Sequence, residues 1–228
     1  IIQEVKDLVE QGYKEVTLLG QNVNAYGKDI KDNAYTFGDL LRDLNDTGIE
    51  RIRFTTSHPH DLDQKTMEAM RDCEHVMPFF HLPVQSGSNA VLKKMNRHYT
   101  KESYLKVLNE LKATVPGIAI TTDIIVGFPG ETEQDFFETL DLVDQANFEG
   151  AFTFVFSKRE GTPAATFEDH TPEETKKERL YMLNEKVNAG YLKGNERFIG
   201  EVVKVLVDGV SKYDDTVLAG YSEHNKLV

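Results

Sequence analysis

The chain predicts an α/β fold: a partial six-stranded parallel barrel of (β/α)6 type that lacks its first strand, followed by a truncated small β-barrel domain. Three observations lead there. Strands and helices alternate with a repeat of about 30 residues, as in right-handed βα crossovers. The strings FHLPVQSGSN at 80–89, TTDIIVGFPGETEQDF at 121–136 and FVFSKREGTPAA at 154–165 each stand where a strand ends. Beyond residue 165 the rhythm changes to one long helix and then to alternating apolar and polar residues. In parallel α/β folds the carboxyl ends of the strands share one rim, so these strings predict a ligand site.

The elements follow in order. A helix over residues 1–11 places Ile2, Val5, Leu8 and Val9 on one face, with Gly12 as its C-terminal cap. A strand over 15–19 runs into the loop GQNVNAYG at 20–27. A helix over 37–44, a strand over 51–56, a helix over 64–71 and a strand over 78–82 continue the alternation. Helices over 90–95 and 101–114 precede a strand over 118–126, whose β-branched run predicts burial on both faces. Thr132 and Asp135 form a capping box for a helix over 133–145, and a strand over 150–156 closes the series. The leading helix needs a strand before it, so the expected count is six with the first strand absent. The long helix runs from Pro172 to about Gly194, and EVVKVLVDG and TVLAGYS then alternate as antiparallel strands do. The expected division is 1–165 for the partial barrel, 166–196 for a connecting helix and 197–228 for an incomplete β domain.

Composition narrows the class. The chain has 228 residues, 39% of them apolar, enough for one large domain and a small one. Its one cysteine, Cys73, excludes an internal disulfide and any thiolate-built cluster within the chain, and fits a reducing, cytoplasmic setting. No window approaches the roughly 20 apolar residues of a membrane span, and no signal-peptide pattern opens the chain. It begins at Ile1 inside an amphipathic pattern, so an upstream part is expected to be missing. The net charge of −12, from 26 basic against 38 acidic residues, repels polyanions unless basic groups cluster. The mixed-charge block at 173–179 reads as a solvated helix face. Past residue 196, Arg197, Lys204, Lys212 and Lys226 stand against Glu201, Asp208, Asp214, Asp215 and Glu223, one acid in excess.

Each rim string has two readings. GQNVNAYG offers the amides of Gln21, Asn22 and Asn24 to a zwitterionic or nucleoside ligand, or is a plain Asn/Gly turn. Gly127 and Gly130 let a flat group approach the backbone, or make an ordinary glycine-rich corner; Asp123, an acid in an apolar strand, needs a partner or a ligand. Gln85, Ser86 and Ser88 stand where helix N–H groups accept a ligand oxygen, with Ser88 also placed as the cap. His58 and His60 in SHPHD lack a third ligand at a recognisable spacing, so a hydrogen-bonding rim histidine is the expectation. Ser157, Lys158 and Arg159 leave the last strand, where Arg159 is placed to grip a carboxylate or to lie in solvent.

Taken in order, LLGQNVNAYGKD at 18–29, FTTSHPHD at 54–61, PFFHLPVQSGSNAVLKKMNRHYT at 78–100, TDIIVGFPGETEQDF at 122–136 and SKREGTPAA at 157–165 resemble the radical S-adenosylmethionine (SAM) methylthiotransferases. The GQNVNAYG loop resembles their tRNA-directed branch, and FIGEVVKVLVDG with TVLAGYSEHNKLV is similar to the start of a TRAM domain. The resemblance implies a radical-SAM-type barrel that uses S-adenosyl-L-methionine and, in the full-length protein, two [4Fe–4S] clusters. It implies addition of a methylthio group to C2 of N6-isopentenyladenosine next to the tRNA anticodon. The partners implied are a tRNA substrate and sulfur or iron–sulfur donor proteins.

The family's CxxxCxxC loop and amino-terminal cluster domain are not in this sequence, and Cys73 belongs to no cluster motif, so the chain alone is expected to be inactive and to ligate neither cluster. By resemblance Gln21 and Asn24 sit near the methionyl amino group, and Ser57, Gln85 and Ser86 line the ribose and methionine. Asp123, Ile125 and Gly127 flank the adenine, and Arg159 grips the methionyl carboxylate or an RNA phosphate. Three alternatives stay open: methylthiolation of threonylcarbamoyladenosine in tRNA or of a ribosomal protein, a self-sufficient acid–base barrel enzyme using His58, Asp123 or Glu131, and an RNA-binding module.

Overall fold

The computed structural model describes residues 1–30, 34–55 and 57–228. In chain order it contains α1 (Ile2–Glu10), β1 (Glu15–Leu18), α2 (Phe37–Asn45), β2 (Arg51–Phe54), α3 (Gln64–Asp72) and β3 (Phe79–His81). These are followed by α4 (Asn89–Lys94), α5 (Lys101–Thr114), β4 (Ala119–Val126), α6 (Glu133–Ala146), β5 (Ala151–Val155), α7 (Glu173–Glu196), β6 (Val205–Val210) and β7 (Leu218–Ser222). Short 3-10 turns stand at Val23–Ala25, Pro59–Asp61 and Pro163–Thr166. The predicted alternation is thus present element by element; the strand expected over 51–56 ends at Phe54, and its last residue, Thr56, lies outside the described residues.

Packing divides the chain into two units: Ile1–His81 with Leu111–Ala119 and Arg197–Val228, and Leu82–Glu110 with Ile120–Glu196. In the first, β1 and β2 pair in parallel from Glu15↔Arg51 to Leu18↔Phe54. Strand geometry sends alternate residues of β2 to opposite faces. Ile52 and Phe54 are fully or almost fully buried, with Phe37 and Phe80 edge-on to Phe54 at 5.0 and 5.4 Å. The α2 helix starts at a capping box, Thr36 N–H donating to Asp39 Oδ2 at 2.8 Å, and buries Leu40, Leu41 and Leu44.

The other face of β2 carries two arginines, Arg51 and Arg53, only 7% and 8% exposed. Arg51 donates to the carbonyls of Tyr221 (2.8 Å) and Lys204 (3.1 Å). Arg53 donates to those of Ser222 (2.8 Å) and Glu223 (3.2 Å) and pairs with Glu15 at 2.9 Å. The antiparallel hairpin β6–β7, with a bulge between Val207 and Gly209, is therefore held by its backbone. Between it and β1 and β2 lies a cleft of about 650 Å³, with Lys14, Arg53, Phe79, Val207 and Tyr221 in its wall.

In the second unit β4 and β5 pair in parallel from Thr122↔Ala151 to Val126↔Val155. The expectation of burial on both faces of β4 is corrected: Ile120, Thr122, Ile124 and Val126 are buried, whereas Thr121, Asp123 and Ile125 are half-buried. The reason is one-sided packing. Thr153, opposite Ile124, donates to Asn184 of α7 at 2.6 Å. Phe152 and Phe154, opposite Asp123 and Ile125, remain 63% and 51% exposed. Tyr104 anchors the core, fully buried, its hydroxyl donating to the Leu82 carbonyl at 2.7 Å.

Candidate functional site

The second unit holds six of the expected site residues, and three strand ends position most of them. Gln85 is joined to β4 by an isolated parallel bridge: its N–H donates to the Asp123 carbonyl at 2.8 Å, and its carbonyl accepts from the Ile125 N–H at 2.9 Å. It sits at φ +69°, a left-handed conformation unfavourable for a residue with a side chain, and is 8% exposed. Asp123 and Ile125 project from β4 onto the same open face as Phe152 and Phe154. That face combines a carboxylate, an aliphatic group and two aromatic rings, a surface suited to a flat heteroaromatic ligand with hydroxyls at its edge. The half-exposure of Asp123 removes the desolvation penalty that its place in an apolar strand suggested.

Ser86 supports the turn that follows Gln85. It is fully buried, its hydroxyl lies 3.4 Å from Thr139 Oγ1, and it accepts from the Ser88 N–H at 3.2 Å. Ser88 is the N-cap of α4, accepting from the Val91 N–H, and donates to Asp135 at 2.5 Å. Burial opposes ionisation of Asp135, but the Ser88 hydroxyl and the Thr132 N–H and hydroxyl hold its carboxyl below the ordinary range. Thr132 and Asp135 form the expected capping box. Arg159 is exposed; its carbonyl accepts from Thr162, which shapes the turn before Pro163–Thr166.

Gly127 opens the GFPG turn at φ +69°, and its N–H donates to Glu131 Oε1 at 3.0 Å. Glu131 is 5% exposed and pairs with Arg179 of α7 at 2.7 Å. Burial pushes the Glu131 carboxyl above its ordinary value, against the pull of the Gly127 N–H and Arg179. The expectation of a solvated face at 173–179 is corrected in part: Glu173, Glu174, Lys177 and Glu178 are exposed, whereas Lys176 and Arg179 are only 4% and 8% exposed. Lys176 pairs with Asp169 at 2.8 Å and Glu173 at 2.6 Å. Both residues face the unit because they stand three apart on a helix, a spacing that the run of mixed charge concealed.

In the first unit Asn24, 1% exposed, donates to the His58 carbonyl and accepts from the His58 N–H, both at 3.0 Å. These two bonds pin SHPHD to the loop that carries Asn24. Asn22 donates to Asp61 at 2.6 Å, and Lys28 to the same carboxylate at 2.8 Å. Gln21 is exposed. Ser57 is 6% exposed and its hydroxyl lacks a protein partner, as does the buried Oδ1 of Asn22. His58 caps the turn Pro59–Asp61, its Nδ1 accepting from the His60 N–H, as a hydrogen-bonding histidine.

Among the described residues no three His, Cys, Asp or Glu side chains are grouped to hold a metal ion, and Cys73 is buried, with burial pushing its thiol up. These residues do not fit an iron–sulfur cluster. Within the second unit, the carboxylate, aliphatic and aromatic groups on the β4–β5 face fit the ribose hydroxyls and ring of S-adenosylmethionine. No helix among the described residues is long and apolar enough to cross a membrane.

Known proteins resemble this chain in sequence and in fold. The tRNA-2-methylthio-N(6)-dimethylallyladenosine synthase of Oceanobacillus iheyensis is 56% identical over 228 residues, all of this chain but 44% of the relative. That of Acetivibrio thermocellus is 55% identical over 229 residues, all of this chain and 48% of the relative. The chain thus spans less than half the length of these relatives. Among solved structures, coproporphyrinogen III oxidase (HemN) from Escherichia coli, a radical SAM enzyme, superposes with a TM-score of 0.60 at 16% identity over 83% of this chain and 44% of its own. Methylornithine synthase (PylB) superposes with a TM-score of 0.53 at 16% identity over 81% of this chain and 52% of its own. At such identities the likeness establishes the fold, and the match of residues 1–143 to the Radical SAM superfamily model establishes descent: the chain belongs to the radical SAM superfamily.

Proposed function

We propose that the chain is the S-adenosylmethionine-binding core of a tRNA-modifying methylthiotransferase that acts on C2 of N6-isopentenyladenosine beside the anticodon. The observation that carries this reading is the 56% identity, across all 228 residues, to a relative named for that product. The superfamily implies S-adenosylmethionine and a [4Fe–4S] cluster. When bound, the cofactor supplies the radical chemistry that activates an adenine carbon. Two clusters are assigned to parts of the full-length protein outside this chain, which by itself is inactive. The fold is read as a partial (β/α)6 barrel at 1–165, a connecting helix at 166–196 and a TRAM-like β segment at 197–228. The protein works in the cytoplasm with tRNA as substrate and sulfur or iron–sulfur donor proteins as partners.

The chain's own residues have separable tasks. Ile125, Phe152 and Phe154 supply an apolar face for the adenine, the turn opened by Gly127 flanks it, and Asp123 accepts from a ribose hydroxyl at its edge. Gln85 holds its strained turn beside them, with Ser86 supporting that turn from beneath. Ser57 offers its unpaired hydroxyl to ligand, Gln21 and Arg159 meet ligand or RNA from exposed loops, and Asn24 fixes the loop carrying Ser57. The acid–base alternative is disfavoured because Glu131 is locked in a buried ion pair and the His58 ring serves as a cap. Mass spectrometry of nucleosides from total tRNA, with and without the full-length gene, tests the assignment. Loss of the methylthio group from isopentenyladenosine is expected. An unchanged nucleoside, with loss from a threonylcarbamoyl derivative or a ribosomal protein instead, overturns it.

A further inference from the structure

The buried cluster behind the GFPG turn lies partly outside the segment matched by the superfamily model, which ends at residue 143. Arg179 of α7 donates to Glu131 twice, to its carboxylate at 2.7 Å and to its carbonyl at 3.2 Å, and stacks over the Phe136 ring at 5.6 Å. The same carboxylate accepts the Gly127 N–H. The chain of contacts therefore runs from the guanidinium through Glu131 to the first amide of the turn. One turn earlier on α7, the Lys176 stem covers Gly127 so closely that a Cβ placed there would meet Lys176 Cγ at 2.7 Å. The Lys176 ammonium is tied to Asp169 and Glu173, which fixes the stem in place.

We infer that Arg179 and Lys176 are positioning residues for cofactor binding: from α7 they hold the 127–130 turn in the shape that receives the adenine of S-adenosylmethionine. The inference rests on the cofactor reading above. A left-handed glycine at the mouth of a turn has several conformations of similar energy, so its amide needs a fixed acceptor. A buried carboxylate is a fixed acceptor only while its charge is matched; without the guanidinium it takes a proton or drags the turn toward water. Arg179 thus acts on the ligand only through Glu131, and Lys176 only through the space it fills.

The test uses the full-length holoprotein with three single variants, Arg179→Met, Lys176→Ala and Ile125→Asp. Deuterium exchange of peptides covering 126–131 is read alongside S-adenosylmethionine affinity by equilibrium dialysis. Both α7 variants are expected to speed exchange of that segment and to weaken binding about tenfold, the shift produced when the binding-ready turn falls to about a tenth of the population. Ile125→Asp is expected to weaken binding without speeding exchange. Unchanged exchange in the α7 variants overturns the inference, as does unchanged affinity in them beside a loss in Ile125→Asp. Unchanged affinity in all three overturns the cofactor reading and the inference with it. Should Arg179→Met not fold, Lys176→Ala decides, because it leaves the Glu131–Arg179 pair intact.

Discussion

Replacing Arg53 with Met tests how the terminal hairpin is held. The guanidinium donates to the Ser222 and Glu223 carbonyls and pairs with Glu15, the two side chains being 8% and 26% exposed. Two charged bonds, one to the buried Ser222 carbonyl and one to the half-buried Glu223 carbonyl, contribute about 1.5 kcal/mol each. A partly exposed ion pair adds about 0.5–1 kcal/mol. Met keeps most of the apolar stem, so little packing is lost and the total is about 4 kcal/mol. At about 1.4 kcal/mol per factor of ten, hairpin opening should become about 1,000-fold more frequent, while Arg51 still grips Tyr221 and Lys204 in the closed form. Native-state amide exchange over residues 205–222 reads this directly. A rise smaller than about tenfold, with native circular dichroism, would refute the assignment of the hairpin's anchorage to Arg53. A cycle with Glu15→Gln should isolate a coupling of about 0.5–1 kcal/mol for the pair alone.

Gly87→Ala places a Cβ 2.5 Å from the Glu138 carbonyl oxygen and the Thr139 Cα, backbone atoms that cannot swing aside, and should cost about 1–3 kcal/mol in urea denaturation. Asn24→Ala removes both bonds to the His58 backbone and should lower protection of residues 57–61 by about 1–3 kcal/mol; equal protease resistance in variant and parent would contradict this. The Asp135 carboxyl lies below its ordinary value of 3.8 in the folded state, so its stabilisation is present above that value and is lost as pH falls through the depressed one. Asp135→Asn should accordingly flatten the acid limb of a stability–pH profile below about pH 4, and an unchanged limb would show that the carboxylate is not held as described.

The sequence conveyed element type through period and punctuation. The capping boxes at Thr36 and Thr132, Gly12 beyond α1 and the β-branched run of β4 are local signals, and local structure follows them. Directions and long-range partners are not local. Asn24 and Ser86 have the chemistry of ligand residues, but whether an amide or hydroxyl faces solvent or a neighbouring backbone depends on segments 34 and 53 residues away. The Arg51 and Arg53 contacts reach across 170 residues, and Arg179 meets Glu131 across 48. A trace of the first pair was visible as alternating charge in RIRF, where charge on one face of a strand demands partners. The second was masked because mixed charge on a helix is usually solvated, and only the spacing of Lys176 and Arg179 set them apart.

The buried ion pair of α7 also governs where this polypeptide can be cut. A protein ending at residue 143, where the superfamily match stops, or at 165, where the rim strings stop, would keep GFPG and Glu131 but lose the guanidinium that neutralises the carboxylate. Removing one partner of such a pair costs about 3–5 kcal/mol, a large share of the 5–15 kcal/mol that typically separates a folded domain from its unfolded chain. Borders drawn from sequence similarity would therefore leave Glu131 buried without its partner. Any shortened form must keep α7 through Val187, the last of its residues buried against the core, and the β6–β7 backbone that satisfies the buried Arg51 and Arg53.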